Sequence, residues 1–257
     1  MTFDKELSAV KFDRRLILSE NPWLSDLTEL EETPSTQILA KEANSSGHLF
    51  VTTRQTATYG RFGRPYYATP AGGLYMSVSL KPDFTDLTQY TLLAAAAVVR
   101  AIEILTDKKP TIKWVNDIYL ADKKIVGILT EAQAGPEGVT RVVLGMGINF
   151  AISDFPSNLT ERATSLFFDE NPTISPSELI CAIWREFDSL KTKDYMAIYK
   201  AHSFILGRRV RFEQSGKSFE GLASDLTAKG ELIVTLDDGS SRTLNSGEIS
   251  LSDWEGK

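Results

Sequence analysis

Residues Thr56–Gly73 read TATYGRFGRPYYATPAGG. Arginines, glycines and aromatics stand side by side, with no acid among them. A β-branched run, Leu49-Phe50-Val51-Thr52-Thr53, leads in and delivers Arg54 and Gln55, and a second run, Leu74–Leu80, leads out. The segment is therefore a long connection between two strands. A connection of this length with little regular structure is uncommon unless it binds something. Glycine lets the main chain approach a ligand closely, and arginine is a permanently charged planar donor for phosphate or carboxylate. Three uses compete: a cradle for a phosphorylated ligand, a nucleic-acid contact, or a basic surface loop without a task.

Composition narrows the choice. The 257 residues carry a formal net charge of -6, with a pI of about 5.1. A dedicated nucleic-acid binder carries a strong positive field, so a small anionic ligand fits this basic loop better. Hydrophobic residues are 42% and charged residues 24%, as in a soluble globular protein with a sizeable core. The single cysteine, Cys181, lies in Leu179-Ile180-Cys181-Ala182-Ile183, reads as a core residue and rules out an internal disulfide. His48 and His202 lack metal-ligand spacing, which argues against a zinc site or a Ser-His-Asp triad. The start, MTFDKELSAVKF, lacks the pattern of a secretory signal, and the longest low-polarity run, Leu92–Val99, is far short of a membrane span. A cytoplasmic protein without DNA or membrane partners is expected.

Outward from the loop, residues 1–26 read as a short helix and a connecting segment, too short for a winged helix-turn-helix. Leu27–Leu30 reads as a strand. Ser35 or Thr36 caps a helix beginning near Gln37, and that same end can face a ligand carboxylate or polar ring. Asp86–Leu105 reads as a helix. Ile112–Val115, Ile118–Leu120, Ile125–Glu131 and Val139–Phe150 read as strands, and Pro176–Lys200 as a helical region. Near Ile205 the composition shifts to short strands punctuated by Gly216, Gly230, Gly239 and Gly247, the pattern of a small barrel. The fold class is α+β, with a mixed, largely antiparallel sheet plus this barrel.

Three further clusters can carry chemistry. Lys113-Trp114-Val115-Asn116-Asp117 packs a cation, an aromatic, an amide and an acid between strands. Its Asn and Asp can hold Mg2+ through oxygen or simply make an Asx turn. Lys123 and Lys124 sit on a hairpin, either in a solvated turn or delivered to a sheet edge. Gly145-Met146-Gly147-Ile148-Asn149 lacks the third glycine and the helix of a dinucleotide fingerprint, so its glycines make room for a ligand or a neighbouring strand.

Together, in this order, these stretches resemble the biotin–protein ligases of the short kind that lack a DNA-binding domain. The resemblance runs from about Leu30 to the C-terminus. It rests on Pro34–Gln37, Gln55–Arg64, Pro70–Ser77, Lys113–Asp117, Lys124–Leu129, Gly145–Asn149, Ala163–Leu166, and the barrel with Gly221, Gly230 and Gly247–Leu251. It implies a class II synthetase-like ligase core at residues 27–204, a C-terminal SH3-like domain at 205–257, and an N-terminal extension at 1–26. It also implies two steps: biotin and ATP give biotinyl-5′-AMP and pyrophosphate, then a lysine of a biotin carboxyl carrier domain takes the biotin and AMP leaves. ATP with Mg2+ and biotin are the implied ligands, and a homodimer is left open.

By the same resemblance Ser35, Thr36 and Gln37 line the biotin ring, with Gln55 near the acyl or phosphate end. Tyr59, Gly60 and Arg61 form the ligand loop, and Lys124 contacts the acyl phosphate, so that Arg61 and Lys124 carry the catalytic charge. Lys113, Asn116, Asp117 and Asn149 fall near the nucleotide or Mg2+, and Tyr66 and Tyr67 are candidates to cover adenine. Two positions depart from the family pattern. Thr58 and Tyr59 replace the first Gly and Arg of G-R-G-R-x-G-R, which removes a cation, and Val115 replaces the proline of K-W-P-N-D. The alternatives are a lipoate–protein ligase, whose core is related, and a non-catalytic biotin or adenylate sensor.

Overall fold

Period-two alternation decides how the central sheet is used. The computed structural model describes residues 11–251 apart from 65, 69–71, 85, 137, 246 and 248. The ends of the expected terminal segments, 1–10 and 252–257, and Pro70, Ala71 and Glu248 therefore lie outside the described residues. β1 (Asp26–Leu30), β2 (His48–Thr52), β3 (Gly73–Leu80), β4 (Thr111–Lys113), β5 (Asp117–Leu120), β6 (Lys123–Gly135) and β7 (Gly138–Asn149) form one sheet. Its order is β1-β2-β3-β7-β6-β5-β4. β1 and β2 are parallel, connected through α2 (Thr36–Glu42), and the other neighbours are antiparallel. The expected mixed, largely antiparallel sheet is present.

On β7, Val142, Leu144, Met146 and Ile148 enter the main core, as do Leu74, Met76, Val78 and Leu80 on β3. These residues share one sheet face with α3 (Leu87–Leu105), whose segment Tyr90–Val99 is buried throughout. α3 is long and apolar enough to cross a membrane, but it is the core helix of this fold. Each fully buried Leu or Val along it contributes about 1.5–3 kcal/mol. Asp86 caps its start, accepting from Thr88 N at 2.8 Å. The opposite sheet face carries Tyr75, Ser77, Val143, Gly145 and Gly147. Part of it is covered by α2, where Ala40, Ala43, Phe50 and Val143 make a small second core. The rest is open and forms the site.

The expected helical region 176–200 is two helices, α4 (Pro176–Leu190) and α5 (Tyr195–His202). Asp194 starts a new helix by accepting from Ala197 N at 2.9 Å, and the intervening Lys191–Asp194 holds no Gly or Pro to announce the break. α1 (Arg14–Glu20) begins at the cap Asp13 and packs on α4. β4 stops at Lys113, so Trp114 and Val115 lie in a turn rather than a strand, with a cis peptide between them.

β8 (Arg209–Gln214), β9 (Lys217–Leu226), β10 (Leu232–Leu236), β11 (Ser241–Leu244) and β12 (Ile249–Leu251) form a second, wholly antiparallel sheet in the order β11-β10-β9-β8-β12. Its inward residues Val210, Phe212, Ala223, Val234 and Leu251 join the main apolar cluster. Two hydrogen bonds bolt the Lys113–Asp117 stretch to its surroundings. Trp114 Nε1 donates to Gly230 O at 2.9 Å, and Tyr199 Oη donates to Val115 O at 3.1 Å. Trp114→Phe leaves the Gly230 carbonyl without that donor and is expected to destabilise the protein by about 1–3 kcal/mol. Chemical denaturation measures this, and a loss below about 0.5 kcal/mol would show that water replaces the indole at no cost.

Candidate active site

The open sheet face has a floor made by register. Tyr75 pairs with Gly147, Gly147 with Gly127, Gly127 with Asp117, and Asp117 with Lys113. Two adjacent glycines without side chains thus leave a trough, with an aromatic at one end and an acid and a cation at the other. The next row is Phe50, Ser77, Gly145 and Leu129. A Cβ on Gly147 would stand 2.9 Å from Tyr66 Oη, and one on Gly145 only 2.2 Å from Gln37 Oε1. The glycines of Gly145–Asn149 therefore make room for the chain's own Gln37 and Tyr66 side chains laid on the sheet, which corrects the expectation that the space serves a ligand or a neighbouring strand directly.

The trough belongs to a cavity of about 970 Å³. At one end the first turn of α2 meets β3 and β7. Ser35 caps α2 through Gln37 N at 3.2 Å. Thr36 N donates to Gln55 Oε1 at 2.7 Å, and Thr36 Oγ1 and Ser77 Oγ lie 2.8 Å apart. Ser77 Oγ donates to Gln37 Oε1 at 2.9 Å, and Gln37 Nε2 donates to Val143 O at 3.2 Å. Ser35, Thr36, Gln37 and Ser77 are buried. The result is a neutral, internally satisfied polar pocket of the kind that orients a small polar ring.

The other end is charged. Lys124 Nζ lies 2.7 Å from Asp117 Oδ1 and beside Gly127. Lys124 N donates to Arg162 O and Thr164 N donates to Lys124 O, at 2.9 and 3.0 Å, so the Ala163–Leu166 segment pins this strand. Arg61 Nη1 donates to Asn116 Oδ1 at 3.1 Å, and Asn116 Nδ2 donates to Ile128 O at 3.0 Å. Burial lowers the pKa of the Arg61 guanidinium, against the pull of Asp117. Burial likewise holds the Lys113 ammonium below its ordinary value; Asp117 opposes the fall and Lys124 adds to it. Three cations gathered around one carboxylate leave this end attractive to an anion.

The loop around Tyr59–Arg64 joins the two ends. Arg61–Gly63 is a single turn in which Phe62 and Gly63 take positive φ, 59° and 69°. Gly60 N donates to Arg64 O at 2.8 Å, and the Thr58 hydroxyl donates to Tyr66 O. Of the residues singled out from sequence, Ser35, Thr36, Gln37, Gln55, Tyr59, Gly60, Arg61, Lys113, Asn116, Asp117 and Lys124 all line the cavity. Asn149 is placed behind it. Its Nδ2 donates to Thr164 O at 2.9 Å, and its Oδ1 lies 3.5 Å from Tyr66 Oη. Tyr66 lies over Gly147, where burial pushes its phenol well above the usual value. Tyr67 is exposed near Phe155 and does not line the cavity.

Sequence reasoning gave no individual role to Tyr75 or Ser77, although alternation in Leu74–Leu80 puts both on the site face. It also missed the rim from the second sheet, where Arg211, Phe212, Ile249 and Ser250 close the cavity. Ile249 and Ser250 belong to the Gly247–Leu251 stretch that carries the resemblance but has no site role in it, and no local signal marks Arg211 or Phe212.

A cation-lined trough that joins a neutral polar pocket to a glycine–arginine loop can hold a polar ring and an anionic group of one ligand. Residues 29–149 match the family described as Biotin/lipoate A/B protein ligase family, and residues 205–252 match Biotin protein ligase C terminal domain. The chain is 35% identical over 233 residues to the bifunctional ligase/repressor BirA of Bacillus subtilis, covering 84% of this chain and 71% of that protein. It is 27% identical to a biotin–[acetyl-CoA-carboxylase] ligase of Mycobacterium tuberculosis, covering 91% and 92% of the two chains. Its structure is similar to that of a biotin protein ligase from Aquifex aeolicus in complex with biotin and ATP, with a TM-score of 0.76 and 29% identity over 88% of this chain and 98% of that one. The chain belongs to the biotin/lipoate A/B protein ligase family, on its biotin protein ligase branch.

Proposed function

We propose that the protein is an ATP-dependent biotin–protein ligase whose trough holds biotin at the Ser35–Gln37 end and the adenylate at the Lys124 end. The carboxylate of biotin attacks the α-phosphorus of ATP, the α–β phosphoanhydride breaks, and pyrophosphate leaves. The amine of a carrier lysine then attacks the acyl carbonyl, an amide forms, and AMP departs with the acyl C–O electron pair. Both steps move negative charge on phosphate, so fixed cations and main-chain donors matter more than a nucleophile. The observation that carries this reading is one continuous trough with a satisfied polar pocket at one end and Arg61, Lys113 and Lys124 at the other.

In this reading Ser35, Thr36 and Gln37 orient the biotin ring, Gln55, held by Thr36 N, lies toward the acyl end, and Lys124 and Arg61 hold the acyl phosphate. Tyr66 and the loop exclude water from the mixed anhydride. Asp117 Oδ1 is engaged by Lys124 and Asn116 Oδ1 by Arg61, so a Mg2+ ion arriving with ATP would be held chiefly by the substrate phosphates, whose charge it would neutralise. The acceptor is the biotin carboxyl carrier domain of a carboxylase, met in the cytoplasm. The net charge of -6 favours a protein acceptor over a nucleic acid.

The test is incubation with ATP and Mg2+ plus either biotin or lipoate, followed by pyrophosphate release and labelling of a carrier domain. Biotin-dependent release with transfer to one carrier lysine is expected. Release that depends on lipoate and not on biotin would replace this reading with that of a lipoate ligase.

A further inference from the structure

Tyr59, at the position where the family pattern has arginine, has partners that its sequence does not announce. Its hydroxyl donates to Glu131 Oε2 at 3.1 Å and accepts from Lys41 Nζ at 3.1 Å, while Lys41 Nζ lies 2.9 Å from Glu131 Oε1. The three groups close a ring of hydrogen bonds, and the Lys41 ammonium also stands 5.5 Å from the Tyr59 ring centroid. Lys41 is in the last turn of α2, the helix whose first turn builds the polar pocket. Glu131 is on β6, two residues beyond Leu129 on the cavity wall. The carbonyl of Lys41 accepts from Arg141 Nη1 at 3.0 Å, which ties this end of α2 to β7. The lysine and the glutamate therefore sit on rigid elements, and the tyrosine is the loop's contribution.

Two residues later the loop is held again, where Arg61 donates to Asn116. The stretch from Tyr59 to Arg61 thus spans the trough between two fixed points, one on the biotin side and one on the nucleotide side.

We infer that Tyr59, Lys41 and Glu131 form a latch that positions Arg61 and Gly60 over the enzyme-bound adenylate, so that the Tyr59 hydroxyl sets how long the intermediate is retained. Tyr59 acts here as a positioning residue, through Arg61 and not on the reacting atoms. The inference rests on the proposed ligase reading. It accounts for a loop that has lost a cation yet is still anchored: the hydroxyl exchanges charge on the ligand for attachment to the scaffold. Breaking the ring frees the arm that carries Arg61, which raises release of the intermediate more than it slows its formation.

The experiment compares wild type, Tyr59→Phe, Glu131→Ala and the double variant. Labelled biotinyl-AMP is formed on each enzyme and chased without carrier, and single-turnover pyrophosphate release is measured on the same samples. Tyr59→Phe keeps the ring and removes only the hydroxyl. Each single variant is expected to release the adenylate about 3–10-fold faster, the range of a charge-assisted hydrogen bond discounted for partial exposure. Pyrophosphate release should change less than adenylate release, and the double variant should be no faster than the quicker single, because both break one ring. Wild-type release rates in both single variants, or effects that multiply in the double, would overturn the latch alone. A wild type without biotin-dependent pyrophosphate release would overturn the ligase reading and the latch with it.

Discussion

Lys124→Ala is expected to slow biotin-dependent pyrophosphate release roughly 10²–10³-fold, the usual cost of removing one preorganised donor from a developing oxyanion. The lysine is well placed for this. Its ammonium lies 2.7 Å from Asp117 and against Gly127, at the charged end of the trough. Alanine removes the cation and leaves the Asp117 carboxylate facing the phosphates without its partner, so repulsion adds to lost attraction. The substitution should not undo the strand, because Lys124 is pinned through its backbone N and O to Arg162 and Thr164. Lys124→Arg restores charge but must fit a planar fork into the space beside Gly127, so partial recovery is expected. Single-turnover adenylation by purified, folded variants checks this. A Lys124→Ala enzyme with near-normal release would mean that the acyl phosphate sits elsewhere.

The sequence was most legible where one stretch carries both structure and chemistry. Ser35-Thr36 announces the cap of α2, which Ser35 supplies, Leu74–Leu80 announces its strand, and the Gly–Arg stretch announces the long connection that reaches the cavity. What register creates was not legible. Lys41, Tyr59 and Glu131 are brought together by a helix, a loop and a strand, and nothing in any of the three segments names the other two. Gly127 and Gly147 make a trough only because β6 and β7 pair them directly. The family resemblance groups Asn149 with the nucleotide residues. At the end of β7 its amide instead binds Thr164 O, and its carbonyl oxygen faces Tyr66. The break between α4 and α5 was hidden for a different reason: Asp194 caps the second helix from inside a run of helix-compatible polar residues.

Gly145→Ala is expected to weaken biotin binding about 10–10²-fold while leaving the protein folded. The added methyl would stand 2.2 Å from Gln37 Oε1 and 3.0 Å from Ser77 Oγ, so one of them must move. Gln37 has little room to retreat, being buried and tied to Val143 O through Nε2 at 3.2 Å. Swinging it away breaks its hydrogen bond with Ser77 and disturbs the Thr36–Ser77 contact behind it. A buried polar group left unpaired costs about 1–3 kcal/mol, and each 1.4 kcal/mol is about tenfold in affinity. The loss should appear in biotin affinity and less in turnover at saturating biotin, because the charged end of the trough is untouched. Titration calorimetry on Gly145→Ala, Gln37→Ala and the double variant separates clash from contact. If the damage runs through Gln37, the double variant binds biotin no worse than Gln37→Ala alone. Wild-type affinity in Gly145→Ala would mean that Gln37 moves aside without loss, and that the biotin ring does not depend on this pocket.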